Sequence, residues 1–275
     1  MSSARSVRSM ALIGLALMWT SGSAIAQNSV FIEELTSIEV RDAIRAGKTT
    51  IIIPTGGTEQ NGAHMILGKH NIIVKHTAGE IARQLGDALV APVVAYVPEG
   101  SIAPPSGHMA FAGTITLPNE YFIKVLEFAA RSFSVHGFVD IAFIGDSGGN
   151  QAGAKAVADA LNKEWASTPV RVHAVEAYYT AHGFADWLRQ QGETTDDIGT
   201  HASISDTSYL MALYPEGVRR DKLAAARGRT FEESGVTGNP TRASVAYGKK
   251  GLDLKIATGI RAIRASRQAS RTQVP

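Results

Sequence analysis

The short apolar run at 49–54, Thr-Thr-Ile-Ile-Ile-Pro, passes after one threonine into Gly-Gly-Thr-Glu-Gln-Asn-Gly-Ala-His-Met-Ile-Leu-Gly-Lys-His at 56–70. A run this short with no polar alternation suits a strand buried on both faces, and such strands belong to parallel sheets covered by helices. Open sheets of that kind keep their chemistry at the carboxyl ends of the strands, on glycine-rich loops. The loop here carries Glu59, His64 and His70. It is the first candidate site.

The rest of the chain keeps the same alternation. Helical spacing predicts an entry helix over 30–46, with Ile32, Leu35, Ile38, Val40 and Ile44 apolar, and a second helix over 71–85. The Val- and Ala-rich run 88–97 predicts another buried strand, and strand, helix, strand implies a parallel pair with a right-handed crossover. Pro118 opens a helix that Gly137 ends, and strands at 138–144 and 170–175 flank a helix over 151–165. The fold class predicted is α/β, a three-layer sandwich with a mostly parallel sheet flanked by helices. Past 194 the pattern loosens: a polar loop to 204, a short helix from Asp206 to Leu213, an irregular charged stretch over 216–236, and a last helix over 242–264. One domain is expected over 27–265, with a disordered tail over 266–275.

Residues 1–26 read as a signal peptide. Arg5 and Arg8 precede an apolar stretch at 10–19 too short to span a bilayer, and Ala24-Ile25-Ala26 suits cleavage before Gln27. A periplasmic or secreted protein is expected. With Cys 0 no disulfide can staple the fold, so a buried core must stabilise it. Without Arg5 and Arg8 the basic residues equal the 25 acidic ones. Such a balance gives no electrostatic footprint for nucleic acid or an anionic membrane.

Five segments together resemble the creatininase (creatinine amidohydrolase) family, in order and over most of the chain beyond the leader. Where this chain has 56–70, the family reads roughly Gly-Ser-Thr-Glu-Gln-His-Gly-Pro-His-Leu-Pro-Leu-Gly-Thr-Asp. The second segment runs from Ser106 through His108 to Leu117, where the family has a histidine followed by Phe-Pro-Gly-Thr. The third is Gly145 to Asn150, against Asn-Gly-His-Gly-Gly-Asn. The fourth is His201 to Ser208, against His-Ala-Gly-Glu-x-Glu-Thr-Ser, and the fifth is Gly235 to Pro240.

The resemblance implies a pair of divalent metals that polarise an amide carbonyl and generate hydroxide. Carried over position by position, Glu59 is retained, while Asn61, His70, Ser147 and Gly149 stand at the other ligand positions and Ile204 replaces a glutamate. A rebuilt site is expected, in which Glu59, His70 and Asp146 hold one or two divalent ions, Zn²⁺ or Mn²⁺. Asn61, His64, His108, Ser147 and Asn150 are candidates for further ligands, supporting hydrogen bonds or substrate contacts. The resemblance makes His201 the catalytic histidine that protonates the leaving nitrogen and Asp206 its acidic neighbour. The other reading of these side chains is that they tie loops together, with Asp146, Asn150 and Asp206 in capping or turn roles. Gly148-Gly149-Asn150 lacks the Lys and Ser/Thr of a phosphate loop.

The function expected is an exported, metal-dependent hydrolase of a non-peptide C–N bond, a cyclic amide or formamide. Its partners are a small-molecule substrate and further copies of itself, a hexamer by resemblance. The alternative is a pseudoenzyme or small-molecule binding protein that keeps the fold.

Overall fold

Strands β1 (Thr50–Thr55), β2 (Ala88–Val90), β3 (Asp140–Gly145) and β4 (Arg171–Ala174) run parallel in the order β2-β1-β3-β4 in the computed structural model, which describes residues 29–271. The register pairs Thr50 with Asp140 through to Thr55 with Gly145. Every residue of β1 and β3 is buried. The strand period of two therefore divides their side chains between two cores. Ile51, Ile53, Ile141 and Phe143 face one, and Ile52, Ala142 and Ile144 face the other.

Helix α1 (Ser37–Arg45) packs partly buried against the first core, while α2 (Lys69–Leu85) belongs to the second. Helices α3 (Asn119–Val135) and α4 (Asn150–Glu164) complete the first layer through Phe122, Leu126, Val157 and Leu161. Three short helices follow, α5 (Ala177–Thr180), α6 (Phe184–Gln190) and α7 (Thr195–Ile198), then α8 (Ile204–Leu213), α9 (Phe231–Ser234) and the long α10 (Val245–Arg271). Helix α10 returns to the sheet and sets Ile256, Ile260 and Ile263 beside Val74 and Ile81 of α2. The result is the predicted three-layer sandwich. Because β1 has β2 on one side and β3 on the other, the crevice above β1 and β3 is the topological switch point where such sheets bind ligands.

Several boundaries differ from the periodicity. The entry helix breaks into a 3-10 turn at Ile32–Glu34 and α1, because Thr36 and Glu39 form a reciprocal capping box that starts a new helix. The run 88–97 pairs as a strand only over Ala88–Val90, with Val94 touching Thr55 through an isolated bridge. The expected disordered tail is helical as far as Arg271, since Arg267 pairs with Asp87 and Asp140 at 2.6 and 3.0 Å and Ser266 bonds to His173. The expected leader at 1–26 and the last residues of that tail, 272–275, lie outside the described residues. Among those described, no helix is long and apolar enough to cross a membrane.

Candidate active site

Above the switch point lies a cavity of about 760 Å³. Strand β1 delivers Glu59 through the Gly56-Gly57 turn, and β3 ends directly at Asp146 and Ser147. Gly57 has φ +155°, and a Cβ there would fall 2.3 Å from Glu99 Oε1, so only glycine lets that carboxyl pack over the turn. The first residues of α2 supply Lys69 and His70, α8 supplies Asp206, and α10 supplies Lys255. His108, His201 and Phe231 close the cavity, with the Phe231 ring edge-on to both imidazoles at 5.7 and 6.0 Å.

The structure brings Glu59, His70 and Asp146 together, but as a hydrogen-bonded row instead of the expected cation cage. His70 Nε2 lies 2.8 Å from Glu59 Oε1, and its Nδ1 lies 2.8 Å from Asp146 Oδ2. Burial and Lys69 oppose its protonation, yet Glu59 and the bonds to both carboxylates raise its pKa to about 9. An imidazolium has no lone pair for a metal. Burial would also raise the carboxyls, but His70 and Lys69 hold Glu59 well below the usual range, and Lys255 and His70 lower Asp146. Lys255 Nζ stands 2.7 Å from Asp146 Oδ1.

Asp206 is equally occupied. Its Oδ2 takes the Lys69 ammonium at 2.5 Å and the Ala202 N–H at 2.8 Å. Lys69 is fully buried, and although burial disfavours its charge, Asp206 and Glu59 outweigh that and raise its pKa.

Gln60 sets the protons on two histidines. Its Oε1 accepts the Gly62 N–H at 2.9 Å and its amide nitrogen donates to the Gly235 carbonyl at 3.0 Å, which fixes the amide's orientation. The other amide hydrogen faces His108 Nδ1 at 3.1 Å, so His108 carries its proton on Nε2, 3.2 Å from Glu59 Oε2. His201 is the reverse: Nε2 donates to the Gln60 carbonyl at 3.0 Å and Nδ1 is bare, 3.5 Å from Glu59 Oε1. Burial, reinforced by Lys69, pushes the His201 pKa down to about 3, and burial lowers that of His108. A neutral His201 with an open lone pair suits a ligand or a base.

The remaining candidates divide. His64 is buried away from the cavity, bonded to Thr207 at 3.0 Å, with its pKa driven down to about 4 by burial. Asn61 donates to the Glu59 and Ile66 carbonyls and leaves Oδ1 buried without a partner. Asn150 ties the end of β1 to α4 by donating to Thr55 Oγ1 and the Gly56 carbonyl, the loop-tying role. Ser147 lines the cavity, and its carbonyl accepts from Gln151. Sequence reasoning missed Glu99, Lys69 and Lys255. Glu99 lines the cavity almost fully buried, and burial together with Glu59 pushes its pKa up to about 9, so it carries a proton at neutral pH. The signal for Lys69 was in the motif, where Lys-His stands for the family's Thr-Asp and turns one negative charge into positive ones.

A two-ion centre does not fit these residues. Asp146 has both oxygens engaged, Ser147 and Asn61 stand where histidines would ligate, and a Cβ at Gly149 would lie 2.4 Å from the Pro98 carbonyl oxygen, leaving no room for a carboxylate. One ion does fit. Glu59, His108 and His201 offer ligand atoms within 4.8 Å of one another, a possible metal site. Glu59 Oε1, which also accepts from His70, faces His201 Nδ1 at 3.5 Å with no hydrogen between them, a gap that a cation would fill. His108 joins only by giving up its Gln60 contact, so that its proton sits on Nδ1 and Nε2 is free to ligate.

Known proteins share this fold. The sequence model of the family described as creatinine amidohydrolase matches residues 33–263. The mycofactocin precursor peptide peptidase of Mycolicibacterium smegmatis is 26% identical over 220 residues, 73% of this chain and 78% of that protein. The creatinine amidohydrolase of Pseudomonas putida is 25% identical over 219 residues, 74% of this chain and 79% of that one. Among solved structures, one described as "Creatininase Mn" superposes with a TM-score of 0.71 at 23% identity, covering 87% of this chain and 99% of that one. A mutant creatininase described as Zn-Zn type gives 0.67 at 23% identity, covering 87% and 98%.

Proposed function

The chain belongs to the creatininase family of amidohydrolases, and from that premise we propose that it hydrolyses the amide-type C–N bond of a small molecule, a cyclic amide or formamide, with one divalent ion. The observation that carries this reading is the pair of opposed acceptors, His201 Nδ1 and Glu59 Oε1, 3.5 Å apart at the cavity wall. Zn²⁺ or Mn²⁺ held by Glu59, His201 and His108 would polarise the carbonyl and make water nucleophilic near neutral pH.

The chain's own groups do the rest. His70 and Lys69 pin the Glu59 carboxylate in one orientation, so no reorganisation accompanies the reaction. The Gln60 carbonyl holds His201 by its Nε2 and so turns Nδ1 toward Glu59. Phe231 packs edge-on against both imidazoles and gives that wall of the cavity an apolar surface. Glu99, protonated and facing the cavity, is placed to give its proton to the departing nitrogen in the role first assigned to His201. The leader-like segment supports export to the periplasm or beyond. Four exposed apolar residues on one face of α3, namely Tyr121, Val125, Phe128 and Val135, support self-association.

A second reading of the substrate is the end of a peptide chain, favoured by a cavity of about 760 Å³, large for a single ring. Both readings share one test. Protein purified without chelator is assayed for metal and against a panel of cyclic amides, formamides and short peptides. Turnover with close to one equivalent of Zn²⁺ or Mn²⁺, both lost in Glu59→Gln, is the expected result. Less than about a tenth of an equivalent, with no rescue by added ion, removes the enzyme mechanism and leaves a binding protein.

A further inference from the structure

Lys69 and Lys255 bring two ammonium groups into the interior beside the ligand positions, with His70 set between two of the carboxylates, and we infer that this built-in arrangement replaces the second cation of a two-ion centre. Each rests on a carboxylate. Lys69 Nζ lies 2.5 Å from Asp206 Oδ2 and 3.5 Å from Glu59 Oε1. His70 bridges Glu59 and Asp146 at 2.8 Å on either side. Lys255 Nζ lies 2.7 Å from Asp146 Oδ1 and sits over the Tyr178 and Tyr209 rings at 4.6 and 5.5 Å, which adds cation–π attraction. Three carboxylates thus meet two ammonium groups and a bridging imidazole.

Buried carboxylates are costly unless partnered, and a metal is one of two ways to partner them. This chain takes the other way. A second ion would need Asp146 and Asp206 to release their ammonium partners, and Ser147 and Gly149 offer it nothing in exchange. It would also meet at close range the positive charges that already hold those carboxylates, in surroundings that screen charge poorly. The same groups keep the floor of the cavity in shape with no ion present. The inference uses the hydrolase reading only to say where a second ion would bind.

The test is metal stoichiometry on the full chain, titrated with Mn²⁺ or Zn²⁺ alone and read by elemental analysis after gel filtration. Wild type takes up no more than one equivalent. Lys69→Thr combined with His70→Asp, which removes the ammonium and the bridging imidazole and places an acid at 70, takes up one equivalent more than wild type, and its thermal midpoint rises with added Mn²⁺. If that protein folds only when Mn²⁺ is supplied, the inference is supported in the same way. Lys69→Met, which frees Glu59 and Asp206 without adding an acid, is the second variant and gains Mn²⁺ uptake over wild type. Two equivalents on wild type overturn the inference, as does the absence of extra uptake by both variants. Wild type without any ion, beside variants that gain one, would sink the metal mechanism above and leave the substitution of cations standing.

Discussion

Glu99 shows how a residue with no sequence signal becomes a candidate for the chemistry. Its carboxyl works only because Gly57 leaves space over the end of β1 and because Glu59 sits beside it, and both facts come from the fold. If it delivers the proton to the leaving group, Glu99→Gln, which keeps the shape and loses the acid, lowers kcat by about 10²-fold with KM little changed. An equal loss in KM alone would place Glu99 in substrate binding instead. Glu59, His108 and His201 were legible in the motifs as polar groups near one strand end. Their proton positions were not, because those depend on the Gln60 amide, which Gly62 and Gly235 hold from opposite sides. The triplet of Glu59, His70 and Asp146 was legible as a neighbourhood, and the structure joins the three by hydrogen bonds. Chemical type alone does not say whether an imidazole between two acids is a ligand or a cation.

Strands β1 and β3 were readable because burial on both faces leaves an unbroken apolar run, and the helices because their apolar spacing survives in α2, α3 and α4. Helix α10 was cut short, because its last turns are held by charge and not by apolar packing. Arg267 and Arg271 reach Asp140 at the start of β3, with His173 of β4 on the other Asp140 oxygen at 2.9 Å. Burial would raise the Asp140 pKa, but the His173 hydrogen bond and Arg267 lower it overall. A carboxyl with a depressed folded pKa contributes stability above its unfolded value of about 3.9, and that contribution is lost as pH falls through the folded value. Asp140→Asn therefore costs about 3 kcal/mol in denaturant unfolding at pH 7, with the difference from wild type closing as pH falls through the lowered folded value. A difference that stayed constant into acid would mean the carboxylate's charge plays no part.

At the scale of the molecule, both sheet faces are covered, yet one flank is left apolar. Tyr121, Val125, Phe128 and Val135 fall on a single side of α3 at helical spacing and are 60, 43, 61 and 82% exposed. Light scattering on the wild type is expected to give a multiple of the 29.2 kDa chain mass, less any leader removed, and Phe128→Glu is expected to lower it. A wild type that runs as one chain would refute self-association. The same view shows what α10 does to the order of events. One helix touches β3 at both ends, with Arg267 at Asp140 and Lys255 at Asp146 just past the last strand residue. A ribosome makes that helix after every strand it touches. Until it emerges, Asp146 lacks its ammonium, so the floor of the pocket is finished only after the sheet is complete.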